Sequence, residues 1–216
     1  MLAYTLHAAR EARLVDRVVV STDGGEIANL SRSFGIEVLE RPQALAGSRS
    51  PMIDTVLHVL RVLARKRFDP TRVVLLQPTS PFRTGEHVDE ALRTFDRKRH
   101  ESLISVSPVL QHPCECVADR EGRLVPAVAP PRGCRGRQDY PELFFVNGAI
   151  YITSVRMLTQ RRRFWDATSA MYNMSMVHSI DIDDRDQLDL AEALLAIRPE
   201  LSHLRRAVTS QQRKAS

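Results

Sequence analysis

Two aspartates near the end of the chain have the spacing of a metal site. Asp181 and Asp183 belong to an alternating segment that predicts a final strand at 176–182. Residues two apart on a strand project from one face, so these two carboxylates would lie side by side. A divalent cation removes their repulsion, and Mg²⁺ takes one or two carboxylates while keeping positions for substrate phosphates. Asp183 or Asp184 could instead cap the next helix with Gln187, which leaves only the first aspartate unexplained.

A second group of polar residues follows a buried strand. Four apolar residues at 73–76 predict a short strand buried on both faces, and the prolines that follow prevent its continuation. Ligands of open parallel sheets bind beyond the carboxyl ends of the strands. The polar residues at that place are Gln77, Thr79, Ser80 and Arg83. A proline-rich turn, in which hydroxyls bond only their neighbours, is the structural alternative.

Alternating strands and helices would position these residues. Apolar runs predict strands at 18–20, 36–39, 73–76, 103–106 and 143–152, before the final strand at 176–182. Apolar residues at helical spacing predict helices at 1–13, around Ile27, from Pro51, after Thr84 and after Asp184. This alternation predicts an α/β fold with a doubly wound, mostly parallel sheet. We expect one domain at 1–203, an insert at about 108–141 and a basic, disordered tail at 204–216.

Composition favours a soluble cytoplasmic protein. The 216 residues are 43% hydrophobic, without an apolar run of membrane-spanning length or a signal peptide. The three cysteines are expected to be reduced thiols, and they lack a suitably spaced fourth ligand for a metal. The net charge of +5 comes largely from basic runs without interleaved aromatic residues. We therefore expect neither a membrane nor a nucleic acid as partner.

Five short motifs occur in order along the chain. They are Ser21-Thr-Asp23, Gln77-Pro-Thr-Ser-Pro-Phe-Arg83, Arg137-Gln138, Asn147-Gly-Ala-Ile-Tyr151 and Ser179-Ile-Asp-Ile-Asp183. Each motif alone is weak, but five in order at compatible spacing are specific. Together they resemble the acylneuraminate cytidylyltransferases, which are the CMP-sialic acid synthetases. The match runs from the first residue to about residue 195.

The resemblance implies a fold, a reaction and partners. The fold would be the Rossmann-like fold of the nucleotide-diphospho-sugar transferases. The anomeric hydroxyl of a nine-carbon acidic sugar would attack the α-phosphorus of CTP, and pyrophosphate would leave. Mg²⁺ would neutralise phosphate charge and align the attacking and leaving groups. The insert would form a homodimer and send basic residues into the neighbouring subunit's site.

The resemblance also implies roles for particular residues. Asp181 and Asp183 would hold the metal and, with Gln77 and Arg137, form the catalytic set. Residues expected to bind the sugar are Gln77, Ser80, Gln138, Asn147, Tyr151 and Phe164. Residues expected to bind the nucleotide are Ser21, Asp23, Arg41 and Ser50.

The chain departs from the family pattern at four places. Family members open with a strand and a glycine- and basic-rich loop that wraps the triphosphate, and this sequence lacks both. Glu115 stands where the family has a lysine, Phe145 where it often has an arginine, and Met52 where it has a small hydroxyl residue. Two alternatives therefore remain open. One is a catalytically impaired, truncated homologue that acts as a dimer partner or scaffold, and the other is transfer to another acidic sugar such as ketodeoxyoctonate.

Overall fold

The computed structural model describes residues 1–98, 100–202 and 204, without the side chain of Lys98. The predicted tail lies outside the described residues from 205 onward. The helices are α1 Leu2–Glu11, α2 Gly25–Ser33, α3 Met52–Arg65, α4 Gly85–Lys98, α5 Val155–Arg161 and α6 Arg185–Ile197. The strands are β1 Val19–Thr22, β2 Glu37–Glu40, β3 Arg72–Leu75, β4 Ser102–Pro108, β5 Val117–Arg120, β6 Arg123–Pro126, β7 Phe144–Ser154 and β8 Ala170–Asn173.

The strands form a mixed set of sheets, and the α/β fold class is confirmed. β1 and β2 pair in parallel, whereas the larger sheet has the order β3-β7-β4-β8. Within it β4 and β8 are parallel, but β7 runs antiparallel to both of its neighbours. The chain reaches β7 from β4 through the insert rather than through a crossover helix, and an antiparallel neighbour needs no such helix. The sheet is therefore less parallel than the alternating pattern predicts.

The predicted final strand at 176–182 is wrong. Residues Val177–Ser179 form a 3₁₀ turn, and the last strand is instead β8. Ile182 makes one backbone hydrogen bond, from its N–H to the carbonyl of Thr79 at 2.9 Å. Ile180 and Ile182 pack into a cluster with Phe82 and α6. The apolar alternation thus reflects packing against the loop after β3, and the same-face argument for the two aspartates does not hold.

α4 fills the core between the larger sheet and α1. Its predicted apolar face is confirmed, because Val88, Ala91 and Leu92 are buried against β4 and β7. The buried carboxylate of Asp89 accepts hydrogen bonds from the backbone N–H groups of Arg13 and Leu14, at 3.1 and 2.9 Å. This contact fixes the chain after α1 to α4, since those amides would otherwise be unpaired.

The segment around Asn147-Gly148 is a bulge inside one strand. Ile104 pairs with Tyr151 while Val106 pairs with Val146, so β7 carries extra residues opposite β4. Gly148 adopts a φ of +72°, in the left-handed region that glycine enters without penalty. Asn147-Gly148 is therefore a bulge within one strand and not a two-residue hairpin turn.

The insert contains a hairpin that the sequence pattern did not predict. β5 and β6 pair antiparallel around Glu121 and Gly122, both of which have positive φ. Two consecutive residues with positive φ are the signature of a tight hairpin turn. Leu124 is 76% exposed and Phe145 63% exposed, so this part of the molecule presents apolar side chains to solvent.

Candidate active site

Three loops converge at the end of the larger sheet. They follow β3, form the bulge of β7 and precede α6. A Cβ added to Gly148 would lie 2.6 Å from Gln77 Oε1 and 3.8 Å from Asp181 Oδ2. The structure therefore brings together three of the motifs that were separate in the sequence. Only a glycine at 148 leaves room for the Gln77 amide.

Asn147 is held inside the bulge by a hydrogen-bond network. Its Oδ1 accepts from Ser105 Oγ at 2.6 Å and from the N–H of Ala149 at 3.2 Å. Its Nδ2 donates to Ser179 Oγ at 2.8 Å, and Ser105 Oγ also accepts from the N–H of Ile150 at 2.7 Å. The network replaces ladder bonds that the bulge interrupts. It also fixes Ser179 two residues before the first aspartate.

Sequence reasoning missed Ser105. The sequence feature that could have revealed it is a hydroxyl inside the apolar run Leu-Ile-Ser-Val, because a polar group buried there needs hydrogen-bond partners.

The two predicted metal ligands differ in exposure. Asp181 Oδ1 is buried and has no hydrogen-bond partner among the described residues, whereas Asp183 is exposed. Asp184 forms the capping box of α6. Its Oδ1 accepts a hydrogen bond from the backbone N–H of Gln187 at 2.8 Å, and its own backbone N–H donates to Gln187 Oε1 at 3.1 Å. The capping alternative is thus confirmed for Asp184 and leaves the carboxylate of Asp183 outside the cap.

The donor set fits Mg²⁺ bound mainly by substrate and water. Among the described residues, no group of three or more His, Cys, Asp or Glu side chains converges as a metal site. Mg²⁺ commonly uses only one or two carboxylates together with substrate phosphates. The unpartnered oxygen of Asp181 is available as such a ligand, because a buried carboxylate oxygen is costly without a partner.

Tyr151 lies close enough to Asp181 to feel its charge, and its ring contacts that of Phe164. The rings of Tyr151 and Phe164 are 6.0 Å apart and tilted by 55°. Burial, and secondarily the charge of Asp181, raise the pKa of Tyr151 above its ordinary value. The phenol therefore stays protonated at neutral pH and can donate a hydrogen bond.

Three of the four predicted nucleotide-binding residues gather at the end of β1. Arg41 Nη2 donates to the carbonyl of Ser21 at 2.5 Å, and the backbone N–H of Arg41 donates to Thr22 at 3.0 Å. Ser21 Oγ and Arg41 Nε are buried without a partner among the described residues. Asp23 is exposed and precedes Gly24, which starts α2 without a side-chain cap. Ser50 lies apart, and its Oγ donates weakly to the carbonyl of Ala44 at 3.4 Å.

A cavity of about 510 Å³ separates β1 from β3. The two strands belong to different sheets, and aliphatic side chains from α1 and α3 line most of the space between them. The polar residues Ser21, Asp23, Arg41 and Gln77 also line it, together with Met52. The cavity therefore joins the predicted nucleotide residues to the first predicted sugar ligand.

Two predicted residues lie away from this cluster in the insert, and a third, Ser80, is fully buried. Arg137 and Gln138 lie in a 3₁₀ turn of the insert, where Arg137 Nη2 is 2.6 Å from Glu115 Oε2. Ser80 is completely buried, and its hydroxyl has no partner among the described residues. Their roles toward a ligand stay predictions, and the ion pair with Glu115 neutralises the charge expected of Arg137.

Acid should destabilise this region through His87. Its ring lies edge-on to that of His178 with centroids 4.6 Å apart, and burial first, then the charge of His178, lowers the pKa of His87 to about 4. Between pH 6.5 and about pH 4, His87 is therefore largely protonated in the unfolded chain but neutral in the folded chain. The free energy of unfolding should fall by about 3 kcal/mol as the pH drops from 6.5 to 4.

Urea unfolding at pH 7 and pH 4.5 measures this loss. The His87→Gln variant should lose less stability than the natural chain over the same interval. Equal losses in the two proteins would contradict the assignment.

Solved structures with the same fold are cytidylyltransferases. One titled CMP:2-keto-3-deoxy-manno-octonic acid synthetase, complexed with CTP, superposes with a TM-score of 0.64 at 13% identity, covering 90% of this chain and 87% of the other. The 2-C-methyl-D-erythritol 4-phosphate cytidylyltransferase of Thermus thermophilus gives 0.56 at 19% identity, covering 90% and 87%. At such identities these likenesses establish the fold alone. No helix among the described residues is long and apolar enough to cross a membrane.

Sequence relatives point in the same direction. The N-acylneuraminate cytidylyltransferase of Escherichia coli is 27% identical over 192 residues, which are 88% of this chain but 45% of that protein, so the chain spans about half of this relative's length. The CMP-N,N'-diacetyllegionaminic acid synthase of Legionella pneumophila is 31% identical, covering 93% of this chain and 87% of the other. The family described as cytidylyltransferase matches residues 1–121, which include Ser21, Arg41 and Gln77. With this match over more than half of its length, on a fold shared with solved cytidylyltransferases, the chain belongs to the cytidylyltransferase family.

Proposed function

We propose that the chain transfers CMP from CTP to an acidic nonulosonic sugar, N-acetylneuraminate or a relative of it. The carrying observation is that the cavity beside Ser21 and Arg41 ends at Gln77, which lies against Gly148 and Asp181. In the reaction a sugar hydroxyl forms a bond to the α-phosphorus of CTP, the bond to pyrophosphate breaks, and the hydroxyl proton is lost. The names of the relatives support this class of acceptor.

The nucleotide is proposed to bind at the cavity beside β1. Arg41 Nε and Ser21 Oγ are buried without a hydrogen-bond partner among the described residues, so both are available to a polar ligand. Mg²⁺ bound by Asp181 and Asp183 would supply electrostatic stabilisation of the phosphate charge. Asp181 is preorganised for this task because its backbone is fixed between Ser179 and Ile182.

The acidic sugar is proposed to bind between Gln77 and Tyr151. An amide can donate to and accept from sugar hydroxyls, and the protonated phenol of Tyr151 can donate to a carboxylate. Asn147 Oδ1 already accepts hydrogen bonds from Ser105 and Ala149. Asn147 therefore contributes to sugar binding mainly by shaping the bulge and through its remaining side-chain N–H. Phe164, whose ring is 6.0 Å from that of Tyr151, is proposed to close this side of the sugar site.

The insert is proposed to join two copies of the chain in a homodimer. Leu110, Val117, Leu124 and Phe145 expose apolar surface on the insert and its flanks. Apolar patches of this kind mark protein interfaces. In such a dimer the basic residues of the insert, Arg137 among them, would approach the neighbouring subunit's site. A cytoplasmic location is proposed as well, since the three cysteines are free thiols.

Calorimetry with CTP and Mg²⁺ tests the nucleotide assignment. We expect binding of CTP to be stronger than binding of ATP and to weaken by about tenfold in Arg41→Met, because one charged donor is lost. The same titration on a chain extended upstream in its own reading frame tests whether a further strand and phosphate loop complete the cavity between β1 and β3. If neither chain binds CTP while both form stable dimers, the protein is a scaffold rather than an enzyme.

Pyrophosphate release identifies the acceptor. N-acetylneuraminate, N,N'-diacetyllegionaminate and ketodeoxyoctonate are compared at equal concentration with CTP. The proposal expects the nine-carbon acids to be preferred. Preference for ketodeoxyoctonate would select the alternative sugar class.

A further inference from the structure

Arg83 is the largest side chain that the described structure buries completely, at 0% exposure. Removing a guanidinium from water is costly unless a counterion or several acceptors compensate. Arg83 forms no ion pair with a described carboxylate, and burial lowers its pKa to about 9, so it stays charged at neutral pH. The proposed reaction does not use Arg83. The burial of this charge without a counterion therefore requires another explanation.

The guanidinium of Arg83 bridges three segments of the chain. Its Nη1 donates to the carbonyl of Gln77 at 3.1 Å and to the carbonyl of Ala149 at 2.7 Å. Its Nη2 donates to Thr5 Oγ1 of α1 at 2.8 Å. The first two acceptors belong to the two loops that carry the proposed sugar-binding amides. Arg83 therefore lies behind the site and does not need to contact the substrate.

The bridge begins where the sheet ladder stops. β3 and β7 are paired antiparallel up to Leu75 opposite Tyr151. In the same register Leu76 would lie opposite Ile150, and Gln77 would lie opposite Ala149. The bulge and Pro78 prevent that pairing, since the strand ends and the proline lacks an N–H. The two N–H groups of Arg83 Nη1 satisfy the two carbonyls in its place.

We propose that Arg83 is a positioning residue that sets the separation between the Gln77 loop and the Asn147-Gly148 bulge. This separation decides where the Gln77 amide lies, because its Oε1 lies directly against Gly148 of the bulge. Lysine cannot replace the arginine fully, because its Nζ falls one bond short of the Nη1 position and does not reach both carbonyls. The inference rests on the proposed function in taking the Gln77 amide as a sugar ligand.

Steady-state kinetics of Arg83→Lys, Arg83→Met and Thr5→Val test the role. Thr5→Val is the matched control, because it removes the third hydrogen bond and leaves both carbonyl bonds intact. Losing one carbonyl bond should raise the KM for the sugar roughly tenfold in Arg83→Lys, and more in Arg83→Met. The KM for CTP should stay within about twofold in all three variants, and Thr5→Val should keep the sugar KM of the natural chain.

Hydrogen exchange followed by mass spectrometry provides a readout that does not need activity. In Arg83→Lys, peptides covering residues 75–80 and 146–151 should exchange at least about tenfold faster, while a peptide from α6 should be unchanged. If Arg83→Met fails to fold, the lysine variant decides. If the natural chain turns over none of the sugars, the proposed function fails, and faster exchange in both loops still supports the positioning role. Unchanged exchange in the two loops, equal rises in the KM of sugar and CTP, or the same effects from Thr5→Val would overturn it.

Discussion

Replacing Asp181 by Asn should reduce turnover by about 10³-fold or more while the fold stays intact. The substitution keeps the shape of the side chain but removes the negative charge that would hold Mg²⁺ against the phosphates of CTP. Its buried Oδ1 lacks a partner among the described residues, so one carboxylate oxygen is desolvated without compensation in the free protein. The free energy of unfolding should therefore be unchanged or rise by up to about 1 kcal/mol. Pyrophosphate release and urea unfolding measure the two effects.

Asp184→Asn is the matched control for this experiment. It makes the same chemical change three positions along, but Asp184 serves as the N-cap of α6, where asparagine is an equally good cap. Turnover and stability of this control should match those of the natural chain. Turnover within tenfold of the natural value in Asp181→Asn would remove the metal assignment.

The sequence predicts most of the framework because the helices and strands are strongly patterned. α4 illustrates this, since residues at helical spacing such as Val88 and Leu92 form the face that is buried in the structure. The pattern fails where apolar alternation has another cause. Ile180 and Ile182 alternate because they pack on Phe82 and not because they belong to a sheet.

The sequence predicts which residues belong to the candidate site, but not which of them contact one another. Gln77, Gly148 and Asp181 were identified as parts of separate motifs, and the structure places them in one cluster. The roles of Ser105 and Arg83 depend on where ladder pairing stops, which follows from tertiary register. A one-dimensional pattern does not contain that register, because the bulge changes the pairing of β7 partway along the strand.

Replacing Gly148 by Ala should separate a small loss of stability from a large loss of sugar binding. The residue has a φ of +72°, which costs a side-chain-bearing residue about 1–2 kcal/mol. The new Cβ would stand 2.6 Å from Gln77 Oε1, and the flexible amide must swing away because the backbone of the bulge is fixed by Ser105. The KM for the sugar should rise by about 10–100-fold, whereas the KM for CTP should change little.

Gly35→Ala is the control that measures only the stability cost of placing a side chain at a positive φ. Gly35 has a φ of +70° at the end of α2, and nothing lies within 4 Å of its added Cβ. Both variants should lose about 1–2 kcal/mol of stability, but only Gly148→Ala should lose sugar affinity. In a double-mutant cycle of Gly148→Ala and Gln77→Ala, the two losses of sugar affinity should be strongly non-additive. Each substitution removes the same Gln77 amide from the sugar site. Additive losses would show that Gly148 acts on the sugar through some path other than the Gln77 side chain.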